Sequence, residues 1–140
     1  MSAASNSRTD RFATALTNVD RALANLRQSL SKPIEEPRDL SGIIKDFEIV
    51  YELSWKLLKK LLEREGHETG SAREAFSKAY QLRLLGDEVV WLKILEDRNL
   101  TVHTYNKKFA EEMCARIRQD YVGAFEVLRA LFNQRIPPVR

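Results

Sequence analysis

Between about Leu40 and Glu65 the chain carries apolar side chains in two interleaved rows. Ile43, Phe47, Val50, Ser54, Leu57 and Leu61 make one row, and Ile44, Tyr51, Leu58 and Leu62 make the other. Steps of three and four residues bring side chains to one side of an α-helix, which turns once every ~3.6 residues. With Trp55 added, the apolar arc is too wide for a helix that rests on one neighbour. This helix is therefore expected at the centre of a helical bundle, touching several helices and a second subunit. Gly66 supplies a left-handed stop.

The flanking segments have the same period. Phe12, Leu16, Val19, Leu23, Leu26 and Leu30 form one stripe, and the helix that carries them should end near Ser31, before Pro33. Residues 33–37, bounded by two prolines, read as a linker. Ser71 and Glu74 have capping-box spacing and open a third helix that runs to the Leu85–Gly86 break. Asp87 is the expected N-cap of a fourth helix bearing Trp91, Ile94 and Leu95. A last helix carries Phe109, Met113, Ile117, Tyr121, Ala124, Leu128 and Leu131 and closes at Pro137–Pro138. With 5 Gly and 4 Pro in 140 residues and no alternating strand pattern, the fold class is all-α. The expected architecture is an up-and-down bundle of four or five helices with short connections. Residues 1–7 read as an N-terminal tail, 8–134 as a single domain and 135–140 as a C-terminal tail.

Several classes of function drop out. There is no P-loop, no glycine-rich dinucleotide fingerprint and no cysteine pair, and two scattered histidines do not make a zinc site, so neither cofactor nor metal is expected. Cys114 stands alone, which excludes an intrachain disulfide and makes a reducing cytoplasm the natural compartment. No apolar run approaches the ~20 residues that span a bilayer, so no membrane role is expected. The first seven residues lack the apolar core of a secretory signal. The net charge is only +3, but it is unevenly spread. Through Asp97 the chain has 15 basic and 16 acidic residues, whereas from Arg98 onward it has 8 and 4. A basic last third can face an anion, or can simply be a solvated surface.

One segment concentrates chemistry: Asp97 to Asn106, which holds Arg98, His103 and Tyr105 within eight positions. Asn, Thr and Val are weak helix formers, so the segment should break or distort the helix that enters it. An Arg fork grips phosphate and offsets charge that grows on it. Histidine exchanges a proton near neutral pH. These are the two needs of metal-independent RNA cleavage: a base for the 2′-hydroxyl and a cation for the crowded phosphorane. On an ideal helix, positions five apart diverge by about 140°. Either the junction bends Arg98 and His103 together, or each meets its complement across a two-fold axis. The same residues can also serve as helix caps and salt bridges.

The run from Arg98 to His103, with polar Asn99 after the arginine, resembles the R-x4-6-H signature of HEPN domains. Its extension to Tyr105 is similar to the R-x4-H-x-Y form of HEPN toxins that pair with a minimal nucleotidyltransferase antitoxin. That subfamily is often labelled nucleotidyltransferase substrate-binding protein. Asp46 to Glu48, Tyr51 to Lys56, Arg73, the Gly86–Asp87 turn and Trp91 fit the same pattern, which covers roughly Asp10 to Phe132. The resemblance implies a dimeric helical bundle in which two such motifs face one cleft. It also implies a ribonuclease pair of Arg98 and His103, oriented by Asn99. Tyr105 would be the phenol that the partner enzyme modifies with AMP, blocking the cleft with bulk and charge. The resemblance assigns no role to Asp46, Glu48 or Glu52.

Three functions follow. The first is a toxin ribonuclease. The second is a non-catalytic subunit that presents a nucleotide or acceptor substrate to a separate nucleotidyltransferase through Arg98, Lys107 and Lys108. The third is a structural adaptor in which the Arg-His-Tyr cluster only caps helices.

Overall fold

A computed structural model describes residues 3–136, with side chains from Arg11 onward. Met1, Ser2 and residues 137–140 lie outside the described residues, and with them the Pro137–Pro138 stop. The elements are α1 (Ala3–Ser31), α2 (Pro37–Arg64), α3 (Ala72–Gln81), α4 (Glu88–Asn99), a 3₁₀ turn (Thr101–His103), α5 (Lys107–Arg116), a π turn (Ile117–Tyr121) and α6 (Val122–Arg135). No strand occurs among the described residues. Because the π turn joins α5 to α6 without a break, the bundle has five helical rods.

Every member of the two rows on α2 is buried. This helix touches α1, α3, α5 and α6, as its wide apolar arc demands. It begins at Pro37, earlier than the expected Leu40. Proline lacks an N–H that the first helical position could not use, and its fixed φ suits that position. The Asp39 carboxylate then accepts hydrogen bonds from the backbone N–H groups of Glu35 and Glu36, both at 2.9 Å. Those bonds hold its carboxyl below the ordinary value.

Helix α1 already runs from Ala3, taking in five of the seven residues read as an N-terminal tail. Alanine is the best helix former, and an added turn on an existing helix needs no new nucleation. At the other end Arg135 is still helical and Ile136 is buried against the core, so those two residues belong to the domain. Two caps also depart from the reading. Ser71 accepts from the Glu74 N–H as expected, but Glu74 reaches back to the N–H of Gly70 and not to that of Ser71. Asp87 adopts a left-handed conformation (φ 55°) and makes no side-chain cap bond, because its backbone is used to turn the chain.

The last rod shows why a π turn is needed. Four-residue steps link buried or half-buried Phe109, Met113, Ile117, Tyr121 and Phe125. In a regular α-helix each such step overshoots a full turn by about 40°, so four would carry the stripe about 160° around the rod. The extra residue of a π turn takes back about 100° of that drift. The core position is accordingly Phe125, not the expected Ala124, which is only half-buried.

Aromatic contacts lock the rods together. Phe76 of α3 stacks on Trp91 of α4 with centroids 4.4 Å apart, Trp91 meets Phe125 of α6 edge-on at 5.5 Å, and Phe47 of α2 stacks on Tyr121 at 5.7 Å. Such pairs contribute about 0.5–1.5 kcal/mol each beyond area burial. Cys114 is buried beside the Leu40 carbonyl, and burial pushes its thiol up to about 11.

Candidate functional site

The Asp97–Asn106 segment ends α4 and starts α5. The helix does break here, into a single 3₁₀ turn at Thr101–His103. Three side chains do the capping. Thr101 Oγ1 donates to the Arg98 carbonyl at 2.9 Å, and Thr104 Oγ1 donates to the Thr101 carbonyl at 2.8 Å. Asn106 Oδ1 accepts from the Phe109 N–H at 3.1 Å. Each satisfies a backbone group that the broken helix would otherwise orphan.

Asp97 anchors the segment from beneath and is fully buried. Its carboxylate accepts Arg116 Nε at 2.7 Å and Nη2 at 3.0 Å, and also the hydroxyl of Tyr121 in the π turn. A buried carboxylate is tolerable only when paired and hydrogen-bonded in this manner. The carboxylate's hydrogen bond raises Arg116 above its ordinary value. Burial, followed by the bond to Asp97, pushes the Tyr121 phenol well up.

Arg98 is the next residue, and its surroundings are different. It lies half-buried against α2, with Nη2 3.4 Å from Glu52 Oε1 and its guanidinium carbon 5.9 Å from the centre of the Tyr51 ring. Its Nε is buried with no hydrogen-bond partner among the described residues. Burial raises the Tyr51 phenol, with Glu52 adding to the effect and Arg98 opposing it. Asn99 is exposed. His103 stands exposed on the 3₁₀ turn, its ring meeting that of Tyr105 at 6.2 Å and 65°. Tyr105 is 86% exposed, and Val102 between the motif's two ends is 73% exposed. Lys107 pairs loosely with Glu111 at 3.8 Å, and Lys108 is exposed beside it.

Among the described residues no hydrogen bond or ion pair joins Arg98 to His103 within the chain. Sequence reasoning gave Glu52, Arg116 and Tyr121 no part here. Asp97 carried a signal, since a charge sits three residues beyond Ile94 on a face otherwise apolar. Its partners, 19 and 24 residues away, carried none. No cluster of three His, Cys, Asp or Glu side chains stands ready to hold a metal ion among the described residues. Nor is any described helix long and apolar enough to cross a membrane.

Comparison with known proteins places this geometry in context. A Haemophilus influenzae relative named Probable ribonuclease HepT is 32% identical over 101 residues, spanning 69% of this chain and 68% of that protein. A crystal structure of a Thermus thermophilus protein superposes with a TM-score of 0.75 at 32% identity, covering 81% of this chain and 98% of that one. A Haemophilus influenzae structure, described as revealing the fold of a substrate binding domain of a nucleotidyltransferase, shares the fold. It gives a TM-score of 0.66 at 24% identity, with 90% of this chain and 99% of that one covered. The family model described as nucleotidyltransferase substrate binding protein like matches residues 14–134. That match takes in both the two-rowed central helix and the Arg98–Tyr105 turn, and the chain belongs to this HEPN-like family.

Proposed function

We propose that the protein is a metal-independent endoribonuclease of the HEPN toxin type, held in check by a partner nucleotidyltransferase. One observation carries the reading: among the described residues the side-chain capping of the junction comes from Thr101, Thr104 and Asn106. The side chains of His103 and Tyr105 are left exposed, without a hydrogen bond among the described residues, and Arg98 is left incompletely partnered. A capping role for the cluster, as the adaptor reading requires, therefore has no support.

His103 acts as the base that takes the 2′-hydroxyl proton, and later returns a proton to the leaving oxygen. Arg98 holds the phosphate and offsets charge in the phosphorane. Asn99 orients the pair. Lys107 and Lys108 extend the cationic edge along the RNA backbone. Two copies form the working cleft, since the apolar Val102 and Tyr105 are exposed beside a motif that one chain does not close. Tyr105, at 86% exposed, is accessible to an enzyme that adds AMP, and the added phosphate would repel RNA from this edge. Such a protein works in the cytoplasm.

The family description favours a second reading, a non-catalytic subunit that presents a nucleotide to the partner. One experiment separates them: RNA cleavage in EDTA by the purified protein with unmodified Tyr105, beside a His103→Ala variant prepared identically. Cleavage that disappears with the variant supports the nuclease. A folded dimer that binds nucleotide and cuts nothing supports the subunit.

A further inference from the structure

Glu52 and its neighbours on α2 form the floor under Arg98. Oε2 of this carboxylate accepts the Trp55 indole N–H at 3.1 Å and lies 3.8 Å from Lys56 Nζ. Oε1 is thereby turned toward Arg98 Nη2, 3.4 Å away. Trp55 and Lys56 are three and four residues further along the same helix, so the carboxylate is oriented by the most deeply packed element of the fold. Beneath the guanidinium lies the Tyr51 ring, one residue back.

We propose that Glu52 is a positioning residue for Arg98, setting the plane of the guanidinium so that its remaining N–H groups face a phosphate. The inference rests on the reading of Arg98 as the phosphate-binding cation. The nearby Asp97–Arg116 pair shows what a carboxylate that monopolises an arginine looks like: two short bonds that occupy one whole edge of the fork. Glu52 makes one long contact to one nitrogen. An arginine has five N–H donors, so this contact fixes direction and leaves most of the fork for an incoming anion. The buried, unpartnered Nε agrees with a side chain held in place against its own hydrogen-bonding preference. Without Glu52 the guanidinium is at liberty to swing toward the carbonyls that end α4.

The test is binding of a short single-stranded RNA made uncleavable by 2′-O-methyl groups, measured at several salt concentrations. Wild type, Glu52→Ala, Glu52→Gln, Arg98→Ala and the Glu52→Ala/Arg98→Ala double variant are compared, alongside cleavage of the unmodified RNA. Glu52→Ala should weaken binding about tenfold and lower the logarithmic salt slope by roughly 0.7, as loss of one phosphate contact does. Glu52→Gln keeps one acceptor oxygen, which can face Arg98 while its NH2 replaces the oxygen that faces Trp55, so its binding should fall between wild type and Glu52→Ala. The double variant should bind no more weakly than Arg98→Ala alone. Tighter or unchanged binding by Glu52→Ala, equal losses in the Ala and Gln variants, or additive losses in the double variant would overturn the proposal. Wild-type binding without cleavage sinks the nuclease reading while this cycle still judges Glu52. No salt-dependent binding by wild type sinks both.

Discussion

Asp97 and Arg98 are neighbours in sequence and opposites in environment. The carboxylate is fully buried, and each of its oxygens accepts from a partner drawn from the last rod. The guanidinium beside it keeps about a third of its side chain exposed, makes one long ion pair and leaves a buried nitrogen unmatched. Charge alone does not mark a functional residue here; the degree to which its partners saturate it does. A saturated charge is stabilised in place and has nothing left to offer a ligand. An under-partnered one, held by packing, retains capacity for an anion that has yet to arrive.

This contrast can be broken by substitution. The largest effect is expected from Asp97→Ala, which leaves the part-buried Arg116 guanidinium and the buried Tyr121 hydroxyl without their partner. It should remove about 3–5 kcal/mol of stability in a denaturant titration, and a loss below about 1 kcal/mol would refute the anchoring role. His103→Ala should do the reverse: RNA cleavage falls by about 10²-fold or more while stability stays within about 0.5 kcal/mol of wild type. If both variants unfold the protein alike, the distinction between anchor and working edge collapses. Tyr121→Phe removes one of the bonds to Asp97 and should lower stability by about 1–2 kcal/mol, with cleavage by the folded protein intact.

The mildest effect concerns Cys114. Its thiol is raised from an ordinary value of 9.0 to about 11, so at pH 8 its thiolate fraction is depressed about 10²-fold. Alkylation should be slow in the native protein and fast in denaturant. Because its folded pKa is raised, the thiol contributes stability that is present below the unfolded value and lost as pH climbs from about 9 toward 11. Rapid native labelling would show that this part of the core opens.

The helical frame was legible because its signal is local. Each member of the two rows on α2 had only to recur every three or four residues to declare a buried face, and each is buried. The helix break after Asn99 was legible for the same reason, from weak helix formers in succession. The role of Asp97 was not, because its meaning depends on Arg116 and Tyr121, which only the tertiary fold brings near. Glu52 looked like any solvated charge until Trp55 was seen to orient it. The π turn lay between these cases. Its four-residue steps were visible, but an unbroken helix was the simpler reading and put Ala124 where Phe125 belongs.

That π turn also sets how the last rod can be edited. It works as a phase corrector: α5 addresses α2, and the π turn then absorbs one residue without its rotation before α6 addresses α1 and α2. Deleting a single residue within 117–121 would restore regular helical winding and keep everything downstream in phase, whereas adding one there in regular winding would turn everything downstream by about 100°. Phe125, Leu128 and Phe132 would leave the core together, while a substitution at any one of them is felt only where it stands. The segment that donates the Tyr121 hydroxyl to Asp97 is thus also where the rod absorbs its one extra residue, and a lengthening there is what the downstream core feels most.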